Sequence, residues 1–173
     1  MAADQDSNAA LIARFYGALD RHDAEPMIAC YAPDATFSDP VFPRLDAAAV
    51  AAMWRMLCAR GKDLHVAVSK IDAGATTGRA HWDATYTYSA TGRRVVNRID
   101  ATFAFRDGLI VRHDDRFDLH RWARQALGIP GLLFGWARPM QSAIRGKAAK
   151  ALAAWRAREA DAKSATASGA RSP

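Results

Sequence analysis

Apolar residues recur at helical spacing in the first sixty positions, alternate through the middle, and return to helical spacing at the end. Leu11, Ile12, Phe15, Ala18 and Leu19 form the apolar face of a first helix, capped by Asp6 or Ser7 and ending near His22-Asp23. A short helix from Pro26 to Tyr31 turns Met27, Ile28 and Tyr31 inward, with Pro26 in its first turn. A brief strand, Ala35 to Asp39, is closed by Pro40. Asp46 caps a third helix, Ala47 to Arg60, with Val50, Met53, Trp54 and Leu57 on one face and Gly61 as its stop. Strands follow at Leu64–Ile71 and Arg79–Ser89, then two long strands joined at Arg106-Asp107-Gly108. A helix over Leu119–Leu127 stops at Gly128-Ile129-Pro130-Gly131, an apolar link carries Leu132, Leu133, Phe134 and Trp136, and a long helix runs from Pro139 to about Ala162.

This order predicts an α+β domain over 6–128: a cone-shaped, curved antiparallel sheet with three helices from the N-terminal half closing a pocket. A C-terminal helical extension (129–162) and a disordered, Ala- and Ser-rich tail (163–173) follow.

The last hairpin carries the chemistry. Asp107-Gly108 suits a tight turn. Alternation along the strand after it puts His113, Asp115 and Phe117 on one face and Asp114, Arg116 and Asp118 on the other. If the first face is the inner one, a histidine and a carboxylate stand where a core wants Val or Ile. Asp115 is then an acid/base group with His113 as partner or proton carrier, or it is a hydrogen-bonded structural residue. Asp39, before Pro40, is either a second catalytic carboxylate or a turn cap. Phe15, Phe37, Trp54, Trp82, Tyr86 and Phe117 read as pocket wall for a flat apolar ligand. Asn97 could anchor a carbonyl. No His/Asp/Cys spacing suggests a metal site and no Gly-rich loop suggests a phosphate, so no cofactor is expected.

Charge changes little. The chain carries 24 Lys and Arg against 18 acids, but from Arg121 onward ten basic residues face only Glu159 and Asp161. Residues 1–120 hold 14 basic and 16 acidic residues, so nucleic acid is not an expected partner of the main domain. The C-terminal helix could dock on its own domain, across a dimer or on a membrane; its thin, Ala-rich stripe favours protein over membrane. The start shows no basic stretch leading into an apolar core, and no apolar run approaches the roughly 18 residues of a membrane helix. Cys30 and Cys58 read as buried free thiols. A cytoplasmic homodimer binding a small apolar or aromatic molecule is expected.

Three segments carry a resemblance: ARFYGALDRHD, YAPDATFSDPVF and TGRRVVNRIDATFAFRDGLIVRHDDRFDL. In order and spacing they resemble the nuclear transport factor 2-like superfamily, in particular its SnoaL-like branch. That superfamily spans isomerases, hydrolases, cyclases and non-catalytic binders, so the fold alone does not fix a function. Resemblance to ketosteroid isomerase implies a base at Asp39. It puts Phe15 where that enzyme has an oxyanion-binding tyrosine, with Tyr16 about 100° away. The second oxyanion donor falls on Ala101, not Asp100, by the hairpin count. Resemblance to limonene epoxide hydrolase keeps its last aspartate as Asp115, but puts Trp82 and Ala84 at its arginine and first aspartate, with His81 and Asp83 one residue off. Phe37 and Asp39 take its tyrosine and asparagine positions. The SnoaL-type cyclases, which use one aspartate with a histidine nearby, are similar in type to His113 and Asp115, and Gln125 to Gly128 resembles a segment near the end of their domain. Together these imply a cofactor-free isomerase, cyclase or dehydratase, with a non-catalytic binding or dimerisation module as the alternative.

Overall fold

A computed structural model describes residues 2–169. The elements are α1 (Ala2–Asp20), α2 (Ala24–Ile28), β1 (Tyr31–Ser38), β2 (Leu45–Asp46), α3 (Ala47–Arg60), β3 (His65–Ala73), β4 (Thr77–Tyr88), β5 (Arg93–Arg106), β6 (Leu109–Arg116), α4 (Leu119–Leu127), α5 (Ile129–Phe134) and α6 (Arg138–Gly169). The six strands form one curved, unclosed sheet in the order β2-β1-β6-β5-β4-β3.

One correction concerns direction. The sheet is mixed, because β1 pairs with β6 in parallel while the other neighbours are antiparallel. The α3–β3–β4–β5 segment between them supplies the long crossover that a parallel pair requires. Irregular register between Ser69 and Asp72 and between Ala104 and Phe105 adds local twist.

The hairpin between β5 and β6 turns on Asp107 and Gly108, both at positive φ (53° and 71°). That is the geometry of the tight turns that match strand twist. It sets Ala101 opposite Asp115 and Phe103 opposite His113. Ala101 is buried, whereas the Asp100 side chain is 79% exposed and paired with His81 on the outer face. The hairpin count therefore holds, and Trp82 and Ala84 point inward while His81 and Asp83 do not.

Leu11, Ile12, Phe15, Tyr16 and Leu19 bury α1 against the sheet and α3. Its start differs from expectation: α1 begins at Ala2, so Asp6 and Ser7 lie within the helix rather than at its start. The cap at Asp46 forms as expected, its Oδ1 accepting the Ala49 N–H at 2.8 Å. The apolar link after Gly128 is the short helix α5. Gly131 is required there, because a Cβ would lie 1.9 Å from the Ala123 carbonyl oxygen of α4. The Ala-rich stretch after Lys163 continues α6 to Gly169 rather than losing structure, consistent with alanine's helix propensity. Residues 170–173 of the expected tail lie outside the described residues.

α6 docks on its own domain. Leu152 is buried in the main core, flanked by Ala148, Ala151 and Trp155. Arg145 Nε–H donates to the Pro40 carbonyl at 2.8 Å. No helix among the described residues is long and apolar enough to cross a membrane.

Candidate functional site

The concave face, α3 and α6 enclose a cavity of about 530 Å³. Its wall is mostly apolar and includes Phe37, Trp54, Trp82, Tyr86 and Phe117, with Asn97 and the carboxylates of Asp39 and Asp115. Seen from the residues, the arrangement follows from alternation. Asp115 follows His113 by two on β6, so both turn inward, and β5 sets small Ala101 opposite Asp115.

Asp115 is 5% exposed and His113 is fully buried. His113 Nε2 lies 3.0 Å from Asp115 Oδ1, and Trp82 Nε1–H reaches the same oxygen at 3.4 Å. On its other side, His113 Nδ1 lies 2.7 Å from the Tyr31 hydroxyl, which accepts from Trp54 Nε1–H at 3.2 Å. The donors fit in one direction: Trp54 N–H to Tyr31, Tyr31 O–H to His113 Nδ1, and His113 Nε2–H to Asp115. The imidazole is packed among the rings of Phe15, Phe37, Trp54 and Phe103. It cannot rotate out of this chain without opening the core. Asp115 Oδ2 accepts no hydrogen bond from the described residues, and Asp115 lines the cavity.

Asp39 Oδ1 accepts the backbone N–H groups of Val41 and Phe42, closing the turn that Pro40 and Pro43 force. It is therefore a turn cap and a cavity carboxylate at once. Burial raises its pKa to about 6, against the two backbone donors; the charge of Asp115 adds to the rise and His113 opposes it. Asp39 and Asp115 also border a second depression, together with Arg44, Arg112 and Arg116. The two carboxylates thus lie between an apolar cavity and a charged outer groove.

The Asp39 shift has a consequence for stability. Its folded pKa, raised from 3.8 to about 6, means that protonation favours the fold. That contribution is fully present below about pH 4 and lost as pH rises through about 6. Asp39→Asn keeps an oxygen for Val41 and Phe42 without the charge. We expect it to gain on the order of 1–3 kcal/mol over wild type above pH 7 and nothing near pH 4. Urea melts of both proteins across that range check this; a pH-independent difference would refute it.

One expected catalytic residue and one expected pocket residue lie outside the cavity. His113 and Phe15 are fully buried and do not line the cavity; both pack against Trp54, and His113 packs against Phe37 as well. Other residues enter unannounced by the sequence. Tyr31 begins β1 instead of ending a helix and so reaches His113. Tyr16 is as buried as Phe15, because the apolar face of α1 is wide enough to cover both. Its hydroxyl has no hydrogen-bond partner among the described residues, and burial, then the charge of Asp115, hold its pKa well above the usual range. Met140, Ile144 and Lys147 of α6 line the cavity, and Lys147 Nζ sits 5.9 Å from the Tyr88 ring centroid. Asn97 lines the cavity and its side chain makes no hydrogen bond with the described residues.

The SnoaL-like domain family matches residues 12–113. The chain belongs to that family. The match includes Tyr31, Asp39 and His113 and ends two residues before Asp115. No curated protein matches the chain. Among solved structures, a candidate polyketide cyclase from Silicibacter sp. TM1040 is 23% identical, with a TM-score of 0.63, over 70% of this chain and 96% of that one. IdmH, a candidate polyketide cyclase from Streptomyces antibioticus, is 24% identical with a TM-score of 0.60, over 70% and 99%. An epoxide hydrolase of the limonene type from Mycobacterium tuberculosis is 19% identical with a TM-score of 0.58, over 75% and 94%. At these identities the likeness is one of fold.

Proposed function

We propose that the chain is an acid/base enzyme of the isomerase, cyclase or dehydratase type, acting without a cofactor on a small apolar or polycyclic molecule. One observation carries the reading: a carboxylate in the wall of an apolar cavity is held by His113 and Trp82 through one oxygen, and its other oxygen is left for a ligand. Asp115 Oδ2 takes a proton from an activated C–H. Asn97 offers an N–H to the developing enolate oxygen, and Asp39 offers an O–H when protonated. Two carboxylates with different proton affinities can thus divide base and acid roles. His113, fixed by Tyr31, orients Asp115 and does not touch the ligand. The neighbours described as candidate polyketide cyclases support this class. The buried free thiols of Cys30 and Cys58 support a reducing location such as the cytoplasm.

A second reading, a non-catalytic binding module, is favoured by the way His113 and Asp115 satisfy one another inside the core. 2-Tetralone, a flat ketone with acidic C–H bonds, and 2-naphthol, a mimic of its enol, separate the two. The enzyme reading expects exchange of the α-protons of 2-tetralone in D₂O, followed by proton NMR, faster than in buffer and blocked by 2-naphthol. Quenching of tryptophan by 2-naphthol without any exchange would establish the binding module. Neither quenching nor exchange would sink both readings for flat ketones.

A further inference from the structure

The exposed apolar surface is concentrated in one place. Ile129, Leu132, Leu133, Phe134 and Trp136 are 73%, 52%, 54%, 55% and 67% exposed, five of the six large exposed hydrophobics among the described residues. They lie on α5 and the turn after it, an exposed knob held on α4 by the close approach at Gly131. A run of this kind on a soluble surface marks an interaction site. Trp136 spends its one donor internally, its Nε1–H bonding to the Leu133 carbonyl at 3.0 Å, so the ring can leave water without losing a hydrogen bond.

The chain on either side of the knob carries charge of one sign. Between Asp118 and Glu159 there is no acid, and there are eight Lys and Arg. Arg121 and Arg124 on α4 and Arg138 just after the knob are exposed and make no ion pair with the described residues. A second copy docking here would bring two such uncompensated surfaces together. An anionic surface would not suffer that repulsion.

We propose that α5 is the docking site of a peripheral membrane protein: Ile129, Leu132, Leu133, Phe134 and Trp136 enter the headgroup boundary of an anionic bilayer, and Arg121, Arg124 and Arg138 face its phosphates. Aromatic and aliphatic residues beside arginines suit that boundary, and the anionic cytoplasmic leaflet supplies the charge. The thin stripe of α6 is not available for this, being used on the core. Leu127 and Met140, which flank the knob in sequence, line the cavity, so the docked face adjoins the cavity wall. This docking does not depend on the acid/base reading.

The test is co-sedimentation of the full chain with phosphatidylcholine vesicles, with and without about 30% phosphatidylserine. Binding is expected only with phosphatidylserine, with a blue shift of tryptophan emission and release at about 0.5 M salt. The double variant Phe134→Ser/Trp136→Ser should lower the apparent partition coefficient about tenfold or more while melting like wild type, and Arg121→Gln/Arg124→Gln should weaken it similarly. Absence of wild-type binding to the anionic vesicles would overturn the proposal. So would undiminished binding of the double variant, or a wild-type dimer that this variant makes monomeric with no vesicle binding.

Discussion

Asp115→Asn is expected to slow α-proton exchange of 2-tetralone by about 10²–10⁴-fold, the usual contribution of a positioned general base, and to leave the fold intact. Asparagine has nearly the same volume, and its oxygen still accepts from His113 Nε2–H and Trp82 Nε1–H. Its nitrogen takes the place of the cavity-facing oxygen and cannot accept a proton. His113→Ala should behave differently. It empties a site bounded by Phe15, Phe37, Trp54 and Phe103, and leaves Tyr31 and Asp115 without their shared partner. A loss of roughly 3–5 kcal/mol is expected from cavity and unpaired polar groups together. The contrast is diagnostic. Wild-type exchange by Asp115→Asn would remove Asp115 from the reaction. A collapse in stability of Asp115→Asn, matching that of His113→Ala, would make the pair a structural unit.

Much of this site was legible in advance because alternation on a strand is a strict rule. Asp107-Gly108 fixes the turn, the turn fixes the register, and the register decides that Ala101 and Asp115 face inward while Asp100 faces out. A shift of one residue would have reversed every assignment. Helices α3 and α4 were equally readable, since each has its glycine stop and α3 has its cap at Asp46. What was not legible depends on packing between distant segments. The parallel pairing of β1 with β6 has no local signature, and it is this pairing that sets Phe37 opposite His113. By sequence Tyr31 reads as the last residue of a helix because Met27, Ile28 and Tyr31 share a helical spacing, yet the chain leaves the helix before it. Depth was also hidden. Alternation says that His113 faces inward but not that five aromatic rings cover it, so its exclusion from the cavity could not be foreseen. The apolar stripe of α6 was plain, but not that it would cover the open end of its own cone.

That cover leads to the other large effect. Leu152→Asp is expected to release α6 and weaken 2-naphthol binding about tenfold or more, because a side chain worth roughly 1.5–3 kcal/mol in burial is replaced by one that resists burial. Leu152 is the α6 residue set deepest in the main core; beside it α6 offers mainly Ala148, Ala151 and Trp155, a stripe too thin to hold a buried carboxylate down. The cone keeps its own core without α6, built from Ile12, Phe15, Met53, Trp54, Ile99 and Ile110. Opening should therefore be local rather than global. Trypsin would then cut at Arg145, Lys147 or Lys150, which a docked helix protects, while the main thermal transition persists. Release would also take Met140, Ile144 and Lys147 from the cavity, and with them the wall that keeps water from Asp115 and Asp39. With bulk water at Asp39, the burial that raises its pKa to about 6 would be relieved, and the pH dependence that separates wild type from Asp39→Asn should shrink in the Leu152→Asp background. Unchanged naphthol affinity together with unchanged trypsin resistance would show that α6 is held by something other than Leu152. Loss of the main transition would instead make α6 part of one indivisible core.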